Sequence, residues 1–208
     1  MKDGLTEIVA VLDRSGSMEP LTKDTIGGYN AFIKEQKELS GEAVLSTVLF
    51  STGKEKVLHN RTNIKNVKPI NESDYTAGGG TALLDALGRA INHIGMVLDH
   101  TPEEEKPSKV IFFIITDGEE NSSKQFTFDQ IKQMVELQRN TYSWEFLFMG
   151  ANIDAFSVAG SIGILQSRAF NYTAEFIGSA QIAMSDAVSN YRQHGNVDKG
   201  KDFRKKIK

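Results

Sequence analysis

Short apolar runs alternate along this chain with longer segments in which apolar residues recur every three or four positions. Runs of the first kind suit buried strands, and segments of the second kind suit amphipathic helices. The short runs predict strands at Glu7 to Leu12, Ala43 to Ser51, Glu55 to Arg61, Lys109 to Thr116, Ser143 to Met149 and Ser167 to Asn171. The longer segments predict helices at Glu19 to Glu38, Thr81 to Leu98, Phe126 to Arg139, Ile153 to Ile162 and Thr173 to Arg192.

This alternation indicates an α/β fold, a Rossmann-like three-layer sandwich with a mostly parallel central sheet and helices on both faces. The run "KVIFFIIT", from Lys109 to Thr116, is apolar at nearly every position, which is typical of a central strand buried on both faces. The turn "STGK", from Ser51 to Lys54, is too short for a crossover between parallel strands. The strand at Glu55 to Arg61 is therefore predicted to be antiparallel and to lie at an edge of the sheet.

The chain has 208 residues, enough for one domain with a sizeable core. We predict a single domain over residues 1–196. Residues 197–208 contain six basic and two acidic residues and few apolar ones, which predicts a basic, flexible C-terminal tail. The alternative is that this tail is a docking segment.

Composition excludes several classes of protein. The net charge of −3 comes with no dominant basic cluster, so we predict no nucleic-acid partner. No apolar run approaches the roughly 20 residues that span a bilayer, and the N-terminus lacks the apolar core of a signal peptide, so we predict no membrane association. The absence of cysteine excludes disulfides, thiolate metal sites and cysteine nucleophiles, and it favours the cytoplasm.

Polar side chains follow the apolar strands where such a sheet binds its ligands, at the carboxyl ends of the strands. The first strand runs into "DRSGS", which contains Asp13, Ser15 and Ser17. The central strand runs into "TDG", which contains Asp117, and "GGGT" places Thr81 at the start of a helix. Five oxygen-bearing side chains from three loops are thus predicted to meet at one small site.

Oxygen ligands without histidine or thiol suit Mg²⁺, Mn²⁺ or Ca²⁺ better than zinc or copper. Magnesium keeps some of its waters, so either aspartate could act through a water molecule. Gly16 allows a sharp turn between the two serines, and Gly80 lets the backbone approach the site before the helix begins.

Each of these residues also has an ordinary structural interpretation. Ser15 and Ser17 suit a turn that caps the next helix, Thr81 suits a helix N-cap, and Asp117 suits a turn before glycine. What favours a site is that the three motifs fall together at one edge of the predicted sheet.

Three further residues are candidates for the surroundings of the site. Asp85 lies one helical turn after Thr81 and either orients the threonine loop from behind or occupies a solvated helix position. Glu119 and Asn121 follow the last motif and either line the rim, where they would select the partner, or are simply exposed.

The motifs "DRSGS", "GGGT" and "TDG" resemble those of the von Willebrand factor A domain, in the same order and spacing across Glu7 to Met149. The resemblance implies a metal-ion-dependent adhesion site (MIDAS). In such a site Ser15, Ser17 and Thr81 supply hydroxyl ligands, Asp13 and Asp117 act largely through waters, and a carboxylate of the bound partner completes the coordination.

The resemblance also implies a stand-alone intracellular protein of the prokaryotic type, whose partner exposes an Asp or a Glu. Proteins of this type often work beside AAA-type ATPases or in stress-response complexes. Two other functions stay open from the residues. A magnesium-dependent phosphohydrolase of the haloacid dehalogenase type needs a second aspartate where this chain has Ser15, so we predict a protein that is not an enzyme. The other is a metal-free scaffold.

Overall fold

The structure is a computed structural model that describes residues 1–53, 55–173 and 176–198. Its six strands form one sheet. They are β1 (Lys2–Asp13), β2 (Glu42–Phe50), β3 (Lys56–Asn63), β4 (Pro107–Thr116), β5 (Glu145–Ala151) and β6 (Ala169–Tyr172). Five helices are α1 (Thr22–Glu38), α2 (Leu83–Asp99), α3 (Phe128–Tyr142), α4 (Ala155–Ser161) and α5 (Ile177–His194).

The strand order across the sheet is β3-β2-β1-β4-β5-β6. Every neighbouring pair is parallel except β2 with β3, so the predicted antiparallel edge strand is confirmed. The two strands at the centre are β1 and β4, which confirms the central place of the apolar run that ends at Thr116. The order reverses between them, because β2 lies on one side of β1 and β4 on the other.

Alternation of side chains along β1 produces the two outer layers. Ile8, Ala10 and Leu12 pack in the core beneath α1 and α5. Val9 and Val11 pack in the opposite core, beneath α2, α3 and α4. The three-layer α/β sandwich predicted from the sequence is therefore confirmed.

All five helices begin later than the sequence predicts, and two of these starts lie at the loops of the candidate site. A 3-10 helix covers Gly16–Leu21, and α1 begins only at Thr22. Pro20 lies in that segment, where it lacks an N–H and disfavours the α conformation of the residue before it. The second case is α2, which begins at Leu83 and leaves Thr81 in the preceding loop.

The sequence also misplaces the last strand and the last helix. A 3-10 helix covers Gln166–Arg168, so β6 begins at Ala169 and not at Ser167. The last helix, α5, begins at Ile177. The predicted start at Thr173 leads into residues 174 and 175, which lie outside the described residues.

The structure describes the first two residues of the predicted tail. Val197 is fully buried in the core beneath α1 and α5. Asp198 accepts a hydrogen bond from Arg168 at 2.7 Å. Residues 199–208 lie outside the described residues. Among the described residues, no helix combines the length and the apolar character that crossing a bilayer requires.

Glu7 is a charged residue in the middle of this apolar sheet. Its side chain is fully buried on β1, where one carboxylate oxygen accepts from Arg61 Nε at 2.8 Å and the other has no partner among the described residues. Burial raises the pKa of Glu7 to about 6, although the charge and the hydrogen bond of Arg61 lower it.

A Glu7→Gln variant tests this buried charge. The raised pKa means that the wild-type protein has the full contribution of Glu7 to stability below about pH 4.5 and loses it as the pH rises through about 6. That loss is about 2 kcal/mol, and a neutral glutamine does not suffer it. The free energy of unfolding of Glu7→Gln, relative to wild type, should therefore rise by about 2 kcal/mol between pH 4.5 and pH 7.5.

Urea denaturation in EDTA at several pH values measures this difference, with the exposed Glu104→Gln as the control for a charge change. A relative stability of Glu7→Gln that stays constant across the pH range would contradict the prediction.

Candidate metal centre

The predicted site residues lie where the strand order reverses, at the carboxyl ends of β1 and β4. Asp13 is the last residue of β1, and Asp117 follows β4 directly. Because β1 and β4 are parallel neighbours, the loops that leave them are adjacent. This is the edge at which open α/β sheets bind ligands.

Asp13 is fully buried and held from three sides. Its Oδ1 accepts from the Ser15 N–H at 2.6 Å, and its Oδ2 accepts from Thr116 Oγ1 at 2.6 Å. The Tyr75 hydroxyl donates to its backbone carbonyl. Burial raises the pKa of Asp13 to about 6, although the donors from Thr116 and Ser15 lower it. The carboxylate is therefore fixed in direction, and no cationic side chain pairs with it in the described part of the chain.

The two serines join Asp13 to Asp117 through a short row of oxygens. Ser15 Oγ lies 3.1 Å from Ser17 Oγ, and Ser17 Oγ donates to Asp117 Oδ1 at 2.6 Å. Ser15 and Asp117 are buried and Ser17 is exposed, so the row reaches solvent at Ser17. Burial raises the pKa of Asp117, and the hydrogen bond from Ser17 opposes that rise.

The third loop places the Thr81 hydroxyl beside these oxygens. A Cβ atom added to Gly118 would lie 2.7 Å from Thr81 Oγ1 and 3.4 Å from Ser17 Oγ. Side chains from two loops thus face Gly118 in the third loop, and any larger residue there would fill the space between them. Thr81 is buried, and its hydroxyl makes no hydrogen bond with any described residue.

Backbone hydrogen bonds fix the first loop against the glycine loop. The Gly16 N–H donates to the Gly79 carbonyl, and the Gly78 N–H donates to the Arg14 carbonyl, each at 2.8 Å. Gly79 has φ +81°, a left-handed conformation that favours glycine. Gly16 therefore helps to hold the two loops together by their backbones.

This arrangement suits a hard divalent cation. The oxygens that face each other are two carboxylates and three hydroxyls, which are ligands for Mg²⁺, Mn²⁺ or Ca²⁺. The Tyr172 hydroxyl is buried without a partner among the described residues, and burial, then Asp117 and Asp13, raise its pKa. A buried hydroxyl without a protein partner is a group that an ordered water commonly satisfies.

The described residues contain no cluster of three or more His, Cys, Asp or Glu side chains that could hold a metal. A cation at Asp13 and Asp117 would therefore depend on the hydroxyls of the serines and the threonine.

Asp85 lies behind the threonine loop but bonds to a different segment. It accepts from the backbone N–H groups of Lys124, Gln125 and Phe126 at 2.8 to 3.1 Å. Burial tends to raise the pKa of Asp85, but these three donors and the charge of Arg89 lower it overall. Asp85 thus fixes the loop that follows β4 and makes no hydrogen bond with Thr81 in the described structure.

The two predicted rim residues have different surroundings. Asn121 is exposed and bonds Thr81 directly: its Oδ1 accepts from the Thr81 N–H at 2.9 Å. Glu119 is exposed and forms no ion pair with any described residue.

Two residues that build the site are not among the predicted ligands. Glu120 accepts four hydrogen bonds, from the Leu84, Ser122 and Ser123 N–H groups and from the Ser123 hydroxyl, and so joins its loop to the first turn of α2. The Thr116 hydroxyl holds Asp13. The position of Thr116 directly before Asp117 was the one sequence feature that could have indicated this role.

The chain matches no model of a known protein family and no curated protein sequence. It does resemble solved structures. A von Willebrand factor type A protein from Catenulispora acidiphila is 16% identical, with a TM-score of 0.55 over 89% of this chain and 43% of that chain. Proximal thread matrix protein 1 from the mussel byssus, with a zinc-occupied MIDAS motif, is 15% identical, with a TM-score of 0.61 over 89% of this chain and 48% of that one.

The ArnB paralog VWA2 from Sulfolobus acidocaldarius is 15% identical, with a TM-score of 0.52 over 88% of this chain and 44% of that one. This chain thus spans less than half the length of each of these three chains. The likeness shows that it has the von Willebrand factor A fold.

An Asp85→Asn variant tests the structural task of this carboxylate. An amide offers one acceptor oxygen and turns its own N–H₂ toward the backbone donors of residues 124–126. We expect a loss of about 1–3 kcal/mol in the free energy of unfolding. Urea denaturation in EDTA measures it, and Asp99→Asn, an exposed change in the same helix, is the control. Unchanged stability of Asp85→Asn in EDTA would show that Asp85 does not hold this loop.

Proposed function

We propose that this chain is a divalent-metal-dependent protein-binding module, which captures an Asp or Glu carboxylate of a partner protein. The observation that carries the proposal is the meeting of three loops around Gly118. There the hydroxyls of Ser17 and Thr81 and the carboxylate of Asp117 lie together, and no cationic side chain of the described residues pairs with that carboxylate.

The existing hydrogen bonds suggest how the residues divide the task. Both oxygens of Asp13 are already engaged, with Ser15 and Thr116, so this carboxylate suits a role through water. The Thr81 hydroxyl has no hydrogen-bond partner among the described residues, which suits a ligand of the ion. Ser15, Ser17 and Thr81 would therefore hold the ion, with Asp13 and Asp117 acting largely through waters.

The expected partner follows from the charge. Where hydroxyls and waters ligate a divalent cation, few anionic oxygens touch it directly and much of its charge stays unbalanced. When bound, the ion supplies that charge to an incoming carboxylate. The partner is thus proposed to be a protein with an exposed Asp or Glu, and an AAA-type ATPase or a stress-response complex would be a source of such a protein.

The donor set favours Mg²⁺, Mn²⁺ or Ca²⁺. Zinc occupies the MIDAS motif of the mussel protein, so Zn²⁺ belongs among the ions to test. A binding role is favoured over hydrolysis because Ser15 stands where a phosphohydrolase of the haloacid dehalogenase type has its acid. The lack of cysteine supports a cytoplasmic location.

Metal binding should stabilise the folded protein. An ion that binds only the native state adds about 2.7 kcal/mol at a concentration 100 times its dissociation constant. We expect Mg²⁺ to raise the melting temperature of the wild type, and Ser15→Ala and Asp117→Ala to abolish most of that rise. Differential scanning calorimetry with Mg²⁺ or EDTA measures it, with Asp99→Ala as the control. A wild-type melting temperature that no divalent ion changes would favour a metal-free scaffold.

Partner capture tests the second half of the proposal. The immobilised protein should retain a partner in Mg²⁺ and release it in EDTA, and the Ser15→Ala protein should retain none. Replacing the acidic residues of that partner one at a time by alanine should identify a single carboxylate whose loss abolishes binding. Capture that persists in EDTA would contradict a role for the ion, and release of phosphate from a generic substrate in Mg²⁺ would favour the hydrolase.

A further inference from the structure

The dipeptide Gly80–Thr81 is held at all four of its backbone hydrogen-bonding groups. The Gly80 N–H donates to Thr52 Oγ1 at 2.7 Å, and the Gly80 carbonyl accepts from the Thr52 N–H at 2.8 Å. The Thr81 N–H donates to Asn121 Oδ1 at 2.9 Å, and the Thr81 carbonyl accepts from the N–H groups of Asn121 and Ser122 at 3.0 and 3.1 Å. The backbone of Thr81 is thus fixed, while its hydroxyl makes no hydrogen bond with any of the residues that the structure describes.

A directed chain of hydrogen bonds joins these two sets of contacts. Thr52 Oγ1 donates to Ser122 Oγ at 3.1 Å, and Ser122 Oγ donates to Asn121 Oδ1 at 2.6 Å. Each hydroxyl accepts one hydrogen bond and donates another, and the last acceptor is the oxygen that receives the Thr81 N–H. We call this series, from Thr52 through Ser122 to Asn121, the Thr52 chain. It connects the turn after β2 with the loop after β4, across the glycine loop.

Gly80 is packed tightly beneath the Thr52 chain. A Cβ atom on Gly80 would lie 2.6 Å from Asn121 Oδ1 and 3.0 Å from Thr52 Oγ1, and closer still to Ser122 Oγ. Real Cβ atoms do not approach oxygen this closely, so the Thr52 chain in this arrangement requires glycine at position 80. Thr52 itself is exposed and lies in the turn that follows β2. A threonine in such a position ordinarily has only a local role in the turn.

We propose that Thr52 is a positioning residue for the metal centre, acting through Gly80 and Asn121 to aim the Thr81 hydroxyl. The inference rests on the proposed function, because it takes Thr81 to be a ligand of the ion. Thr52 does not contact the centre itself. Its hydroxyl holds the backbone of the ligand, as the outer partners of metal ligands do.

Two substitutions distinguish the effect of the Thr52 hydroxyl from the effect of the shape of its side chain. Thr52→Val keeps the branched side chain and the backbone N–H but removes the acceptor for Gly80 and the donor for Ser122. Thr52→Ser keeps the hydroxyl and loses only a methyl group. By calorimetric titration with Mg²⁺, we expect Thr52→Val to weaken affinity about tenfold and Thr52→Ser to stay within about twofold of wild type.

The melting temperature in EDTA should be nearly the same for all three proteins, because Thr52 is exposed and its hydroxyl supports only the loop. Equal Mg²⁺ affinity of wild type and Thr52→Val would overturn the inference. Equal weakening in Thr52→Val and Thr52→Ser would assign the effect to the methyl group and would overturn it too.

Amide hydrogen exchange in EDTA tests the same inference without the metal. In Thr52→Val the Gly80 amide loses its acceptor, and the Gly80 and Thr81 amides should exchange about tenfold faster, while the Ile114 amide in β4 stays unchanged. Unchanged exchange at Gly80 and Thr81 would overturn the inference whatever the metal data show. If exchange increases as expected but the wild type binds no divalent ion, the Thr52 chain does hold the backbone of Gly80 and Thr81, and the proposed metal-dependent function is wrong.

Discussion

The parallel pairing of β1 with β4 is the contact on which the site depends. The register sets Leu12 opposite Ile115, so the next residues of the two strands, Asp13 and Thr116, leave the sheet side by side. The Thr116 hydroxyl then donates to the Asp13 carboxylate at 2.6 Å and ties the two strand ends together. Because β2 occupies the other side of β1, the strand order reverses at this point and the loops open around a shared space.

The second constraint is electrostatic. The loops bring the carboxylates of Asp13 and Asp117 close to each other, and burial raises the pKa of both. Hydroxyls of Thr116 and Ser17 satisfy individual oxygens, but they carry no positive charge to balance the carboxylates. A divalent cation at Gly118 would relieve this imbalance. The hydroxyls of Thr81 and Tyr172, which have no hydrogen-bond partner in the described part of the chain, would suit a polar occupant.

The sequence predicts the elements and the ligand loops because both follow from local patterns. Apolar runs identified the strands, and the short turn at Ser51 identified the antiparallel edge. Contacts between distant residues left no such pattern: Tyr75 reaches the Asp13 carbonyl from 62 residues away, and Thr52 reaches Ser122 across 70. The sequence did not indicate the buried ion pair of Glu7 either, since its partner Arg61 is on another strand. The predicted helix starts were wrong where Pro20, or the backbone hydrogen bonds of Thr81, delayed the first turn of the helix.

The proposed metal centre requires that oxygens from three separate loops hold one divalent cation beside Gly118. Anomalous diffraction from a crystal soaked in Mn²⁺ locates the ion without reference to any activity. We expect one strong anomalous peak within bonding distance of the Ser15, Ser17 and Thr81 hydroxyls. A crystal that takes up Mn²⁺ only elsewhere, or shows a peak bonded to neither serine nor threonine, would contradict it.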